Sequence, residues 1–172
     1  MHMPLSLNPH RKKALDRAFI AQSVEQYALQ FLRAVEEGED PTESFEGPLE
    51  DDCRDFAHAA LSEHFAKARG YVYAAAYPLR EGVFKVGRTR LSVEARQTTL
   101  ETSGVLVPLR MSTAIYCNDS YFSERMAHKL LHRGHIRKEF FEVPVLALGA
   151  VFEHCLRLDN IRYETVGRYL AW

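Results

Sequence analysis

Glu124, His128 and His132 follow one another at four-residue intervals, and His135 comes three residues later. On a helix the first three would project from one face, because residues four apart are neighbours there. Glu124 is a hard oxygen donor suited to Mg2+ or Mn2+. Three readings of the set are open. His128 carries protons or contacts a phosphate beside such a metal; the three histidines with Glu124 build a zinc site; or all four line a wet helix face. Cations precede this run at Lys85, Arg88, Arg90 and Arg96, and Lys129 lies within it. Arginine offers a planar fork that fits two phosphate oxygens at once, and lysine a compact point charge. Tyr71 and Tyr73 share strand parity, so both can face one site.

The elements that must position these groups follow from hydrophobic period and punctuation. Asn8 and Pro9 suit the start of a helix that carries Val24, Tyr27 or Ala28, Phe31 or Leu32 and Val35 at helical spacing, closed by Gly38. Residues 39–48 are acidic, with two prolines and a glycine, and read as a loop. A second helix is expected from near Leu49, with Glu50, Asp51 and Asp52 at the positive end of its dipole and Phe56, Ala60, Leu61 and Phe65 inward. Residues 71–77 and 83–87 form a loose hairpin. Ser92 caps a helix to about Leu100, a turn lies around Gly104, and residues 109–116 alternate like a strand. A helix opens at Asp119 or Ser120 and runs to about His132. Residues 140–143 form a short strand, and Pro144 starts a helix through about Leu156. The last fifteen residues are a strand or a strap. The expectation is an α+β fold: a small mixed sheet flanked by helices, behind a two-helix N-terminal segment. Its parts are a helical segment at 1–69, a site-bearing domain at 70–157 and a C-terminal extension at 158–172.

Gly70-Tyr71-Val72-Tyr73, a hairpin, and then Lys85-Val86-Gly87-Arg88-Thr89 resemble the paired signature of the GIY-YIG nuclease superfamily, in its phage and bacterial branch. The series continues in order through Arg96, Leu100, Gly104, Pro108, Glu124, His128, Glu139, Phe140 and Phe141. The resemblance runs from residue 70 to about 148, under half of the chain. It implies a GIY-YIG-type sheet and a metal-dependent DNA endonuclease or nickase, with Mg2+ or Mn2+ held by Glu124 while waters and substrate phosphate fill the other positions. Arg96 would then contact the scissile phosphate, and Arg88, Arg90 and Lys129 the nucleic-acid backbone. His128 would sit beside the metal. Tyr73 matches the tyrosine of the first half-signature and would help to take a proton from water; Tyr71 and Gly87 support it. At Lys85 much of the superfamily has a second tyrosine, so the general base is open between Tyr73 and Lys85. Glu139 stands where many relatives have asparagine; it braces the metal side or Arg96, or is a surface charge. A second class of function is a binding module that keeps the fold without the activity.

Charge is unevenly spread. Residues 1–69 hold eight Lys/Arg against thirteen Asp/Glu, and residues 70–157 hold twelve against eight, within a chain of net charge −1. A polyanion is drawn to the second stretch, so DNA is the expected partner there, while the acidic helices suit a protein partner. No apolar run approaches a membrane span, and the N-terminus lacks the layout of a secretory signal. Cys53, Cys117 and Cys155 are odd in number and far apart, which fits a reducing compartment and a cytoplasmic protein.

Overall fold

The computed structural model describes residues 9–41, 51–102 and 107–170. The Asn8 cap, the acidic stretch at 42–48, the expected helix start at Leu49 and Glu50, and the turn at Gly104 lie outside the described residues. Two compact units emerge: Met1–His64 with Leu170–Trp172, and Phe65–Tyr169. Among the described residues no helix is long and apolar enough to cross a membrane.

The first unit holds α1 (Pro9–Glu37) and most of α2 (Asp51–Ala68). Ala28, Phe31 and Leu32 of α1 and Ala57, Ala60 and Leu61 of α2 are buried, at the spacing that one apolar helix stripe requires. Phe56, expected inward, is 42% exposed, and its ring meets the Tyr27 ring edge-on at 5.1 Å.

The second unit is built on a five-stranded sheet in the order β3-β1-β2-β5-β4. Its strands are β1 (Gly70–Ala76), β2 (Val83–Thr89), β3 (Arg110–Cys117), β4 (His135–Arg137) and β5 (Phe140–Glu142). All four pairings are antiparallel rather than mixed. Alternation along the strands separates the two faces. Tyr73 and Ala75 turn to one side and pack with Leu100 of α3 (Val93–Thr102) and with Leu109. Val72, Ala74, Phe84 and Val86 turn to the other. There they join Ala127 of α4 (Ser120–Leu130) and Leu148, Phe152 and Cys155 of α5 (Val145–Leu170). The class is therefore α+β, a small sheet flanked by helices behind two N-terminal helices.

The caps are where side-chain chemistry demands them. Ser92 Oγ accepts from the Ala95 amide at 3.2 Å, and Asp119 accepts from the Tyr121 and Phe122 amides. The largest departure is at the C-terminal end. No strand or strap follows Leu156; α5 continues unbroken to Leu170. Its buried positions, Leu148, Phe152, Cys155, Asp159, Arg162 and Val166, keep helical spacing throughout, but two of them are charged.

Candidate functional site

Two side-chain groups form around β2, one on the α3 face and one at the strand's free edge. On the α3 face, Tyr73 of β1 lies opposite Gly87 of β2, and a Cβ on Gly87 would come within 3.0 Å of the Tyr73 hydroxyl. A side chain there would push the ring aside, so glycine is what lets the buried tyrosine lie across β2. The phenol oxygen accepts from Arg96 Nε at 3.1 Å and Nη2 at 2.6 Å. Arg96 sits one turn into α3, started by the Ser92 cap. Among the described residues it is paired with no carboxylate.

The second group exists because β5 stops short. It pairs with β2 only from Val83 to Lys85. Beyond that point the Val86 amide donates to the Glu139 carbonyl at 2.8 Å, and the Val86 carbonyl accepts from His128 Nε2 at 3.0 Å. The Arg88 amide donates to the Glu124 carboxylate. Glu124 and His128 thus close the part of the edge that β5 leaves open, which satisfies backbone groups that would otherwise lack partners. Because Nε2 donates, the Nδ1 lone pair of neutral His128 is left as an acceptor.

Glu124 also meets the Arg88 guanidinium, Nε to Oε2, at 3.1 Å, and that guanidinium stacks on the Tyr121 ring at 3.5 Å. Burial pushes the Glu124 carboxyl above its ordinary range. The charges of Arg88 and His128 pull it back, and the Glu139 carboxylate pushes the same way as burial. Glu139 therefore lies in electrostatic range of Glu124, while its own carboxylate pairs with Lys85 at 3.1 Å. It is the link between the groups, bracing Lys85 rather than Arg96.

The other expected residues scatter. Tyr71 turns to the same face as Tyr73 but meets the Tyr116 ring at 5.1 Å. Arg90 and Lys129 are exposed. α4 ends at Leu130, so His132 falls in a short 3-10 turn and His135 in β4. His132 Nδ1 engages the Lys129 carbonyl at 2.9 Å, and His135 Nε2 the Lys138 carbonyl at 2.9 Å. The rings are thus committed to separate backbone groups, and the three-histidine zinc arrangement does not form. Among the described residues no three His, Cys, Asp or Glu side chains gather to hold a metal. Glu124 and Glu139 are hard oxygen donors, of the type Mg2+ and Mn2+ take alongside water and phosphate.

Sequence reasoning missed what holds α4 in place. Asp159 of α5 accepts from the Asn118 and Asp119 amides at 2.7 and 2.8 Å, and Arg162 donates to Asp119 at 2.7 Å with its guanidinium over Phe122. Ser120 Oγ donates to the Ala68 carbonyl at 2.7 Å. The available signal was an Asp and an Arg three residues apart in a segment of uncertain structure.

The T5orf172 domain model matches residues 70–156. The chain belongs to the T5orf172 domain family. No curated protein and no solved structure matches. The GIY-YIG resemblance is thereby overturned, since the family that matches is a different one. Packing explains why the signature misled. In this T5orf172 domain Gly87 makes room for Tyr73, and a Cβ on Gly70 would meet the Thr89 carbonyl oxygen at 2.6 Å. Glycines and tyrosines that a hairpin needs for its own packing do not discriminate between families.

Proposed function

We propose that the T5orf172 domain of this chain hydrolyses phosphodiester bonds in DNA with the help of a divalent cation. The observation that carries the reading is Arg96, a guanidinium oriented by the Tyr73 phenol and left without a carboxylate partner. Such a fork suits two oxygens of a phosphate. Glu124 and Glu139 would hold Mg2+ or Mn2+, which when bound supplies neutralisation of phosphoryl charge. Lys85, steadied by Glu139, adds a positive charge on the same side of the sheet as Tyr73.

The tyrosine oxygen already accepts two hydrogen bonds, so it cannot take a third from water while Arg96 stays on it. A phosphate that draws Arg96 across frees the phenol oxygen to accept a hydrogen bond from the attacking water. Lys85 is engaged by Glu139, so Tyr73 is the better placed of the two to orient that water.

The test is plasmid nicking in Mg2+ or Mn2+. Wild type should cut, and Arg96→Met and Glu124→Ala should each lose about 10²–10³-fold in rate, the cost of removing one preorganised charge stabiliser. A second reading, a binding module without activity, draws on Glu124 and His128 closing the β2 edge, a structural task for both. In that case wild type and Glu124→Ala both leave the plasmid intact, and salt-sensitive DNA binding persists without metal.

A further inference from the structure

Tyr116 lies on the edge strand β3 and is 55% exposed. Its backbone is in register with Tyr71, which is in register with Thr89. The next row on the same face is Ala114, Tyr73 and Gly87, where Arg96 is held. Two residues along a strand span about 7 Å. A tyrosine pair, Tyr116 exposed and Tyr71 partly buried, therefore stands one strand repeat from the arginine assigned to phosphate. A cross-strand aromatic pair stabilises antiparallel strands, and that accounts for the edge-on contact of the two rings at 5.1 Å. It does not account for a large aromatic ring kept half in water one strand repeat from the row that holds Arg96.

We infer that Tyr116, supported by Tyr71, is a stacking platform for an unpaired base, so that the DNA taken by this site is single-stranded where it crosses β3 and β1. The inference rests on the proposed function and narrows its substrate. A base inside a duplex has its faces covered by its neighbours, and only a splayed base can lie on an exposed ring. Charge complementarity selects nucleic acid over an apolar partner. With Arg96 on a phosphate, the adjoining nucleotide's base is within reach of Tyr116, one strand repeat away.

The experiment uses the full chain in EDTA, so that binding is read without cleavage. The probes are a fluorescein-labelled twelve-nucleotide single strand, the duplex of the same length, and the RNA of the same sequence, followed by anisotropy at one fixed salt concentration. Wild type should bind the single-stranded DNA most tightly. Tyr116→Leu keeps an apolar contact with Tyr71 but loses the aromatic face, and should weaken single-strand binding about tenfold with duplex binding unchanged. Tyr116→Phe should match wild type. A 2-aminopurine in the strand should be quenched by wild type and by Tyr116→Phe, and not by Tyr116→Leu. Equal weakening of duplex and single strand, no weakening at all, or tighter binding of duplex or RNA by wild type overturns the inference. Nicking that persists in a protein without the tyrosine effect removes only this inference. A tyrosine effect in a protein that, in Mg2+ or Mn2+, cuts neither plasmid nor single-stranded circular DNA removes only the hydrolytic reading.

Discussion

At the scale of single residues, Gly87 and Tyr73 are one unit. Replacing Gly87 by alanine puts a methyl 3.0 Å from the phenol oxygen that holds Arg96, and the ring must shift to make room. Overpacking of this kind costs about 1–3 kcal/mol. Gly87→Ala should lower stability by that order in urea denaturation and reduce nicking together with Tyr73→Phe, which should reduce nicking with little loss of stability. Glu124 gives a pH prediction. Burial raises its pKa in the fold above the ordinary 4.5, so the folded state favours the protonated carboxyl. The associated stability is present below the unfolded pKa and is lost as pH rises through the folded one. Glu124→Gln should flatten stability against pH in that window. Arg88→Met removes a charge that opposes the shift, so an NMR titration of the Glu124 carboxyl carbon should move to still higher pH.

At the scale of elements, α4 carries the candidate metal ligand, and its first turn is fixed by a buried ion pair. Arg162→Met leaves the Asp119 carboxylate buried without that guanidinium, which costs roughly 3–5 kcal/mol. The loss should appear in denaturant midpoints, and adding Asp119→Asn should recover part of it, because asparagine still caps the helix. The core on the α4 side also holds Cys117 and Cys155, whose thiols burial pushes up to about 11 and about 12. A thiol reagent at pH 8 should therefore label neither in the native protein and both after unfolding, read by mass spectrometry of the peptides.

At the scale of the whole molecule, the compact units divide between His64 and Phe65 rather than at the change of sequence texture near Gly70. Phe65 is buried edge-on against Tyr163 at 4.9 Å, and Ser120 bonds the Ala68 carbonyl. A chain shortened to begin at Phe65 should keep DNA binding. One beginning at Gly70 should lose stability on the order of 3–5 kcal/mol, the usual cost of deleting a buried phenylalanine. Circular dichroism melts of both chains check this. If the acidic helices dock a partner, the Phe65 start should also retain metal-dependent nicking of naked plasmid.

The sequence by itself determined what depends on neighbours along the chain. The hairpin, the Ser92 and Asp119 caps, the inward stripe of α2 at Ala60, Leu61 and Phe65, and the cations after Gly87 all follow from periodicity, turn chemistry or residue type. Tertiary structure decided what depends on residues far apart. That α5 runs to Leu170 was hidden because its inward stripe passes through Asp159 and Arg162, which look like surface residues until Asp119 and the α4 amides are brought to meet them. β4 is three residues long, too short for alternation to show. That the three histidines point to separate carbonyls was invisible from their spacing, because it depends on where α4 ends. Glu124 was legible as a carboxylate on a helix. Its burial, its pairing with Arg88 and its place at the open edge of β2 were not, because they arise only where β5 stops short and α4 closes the gap.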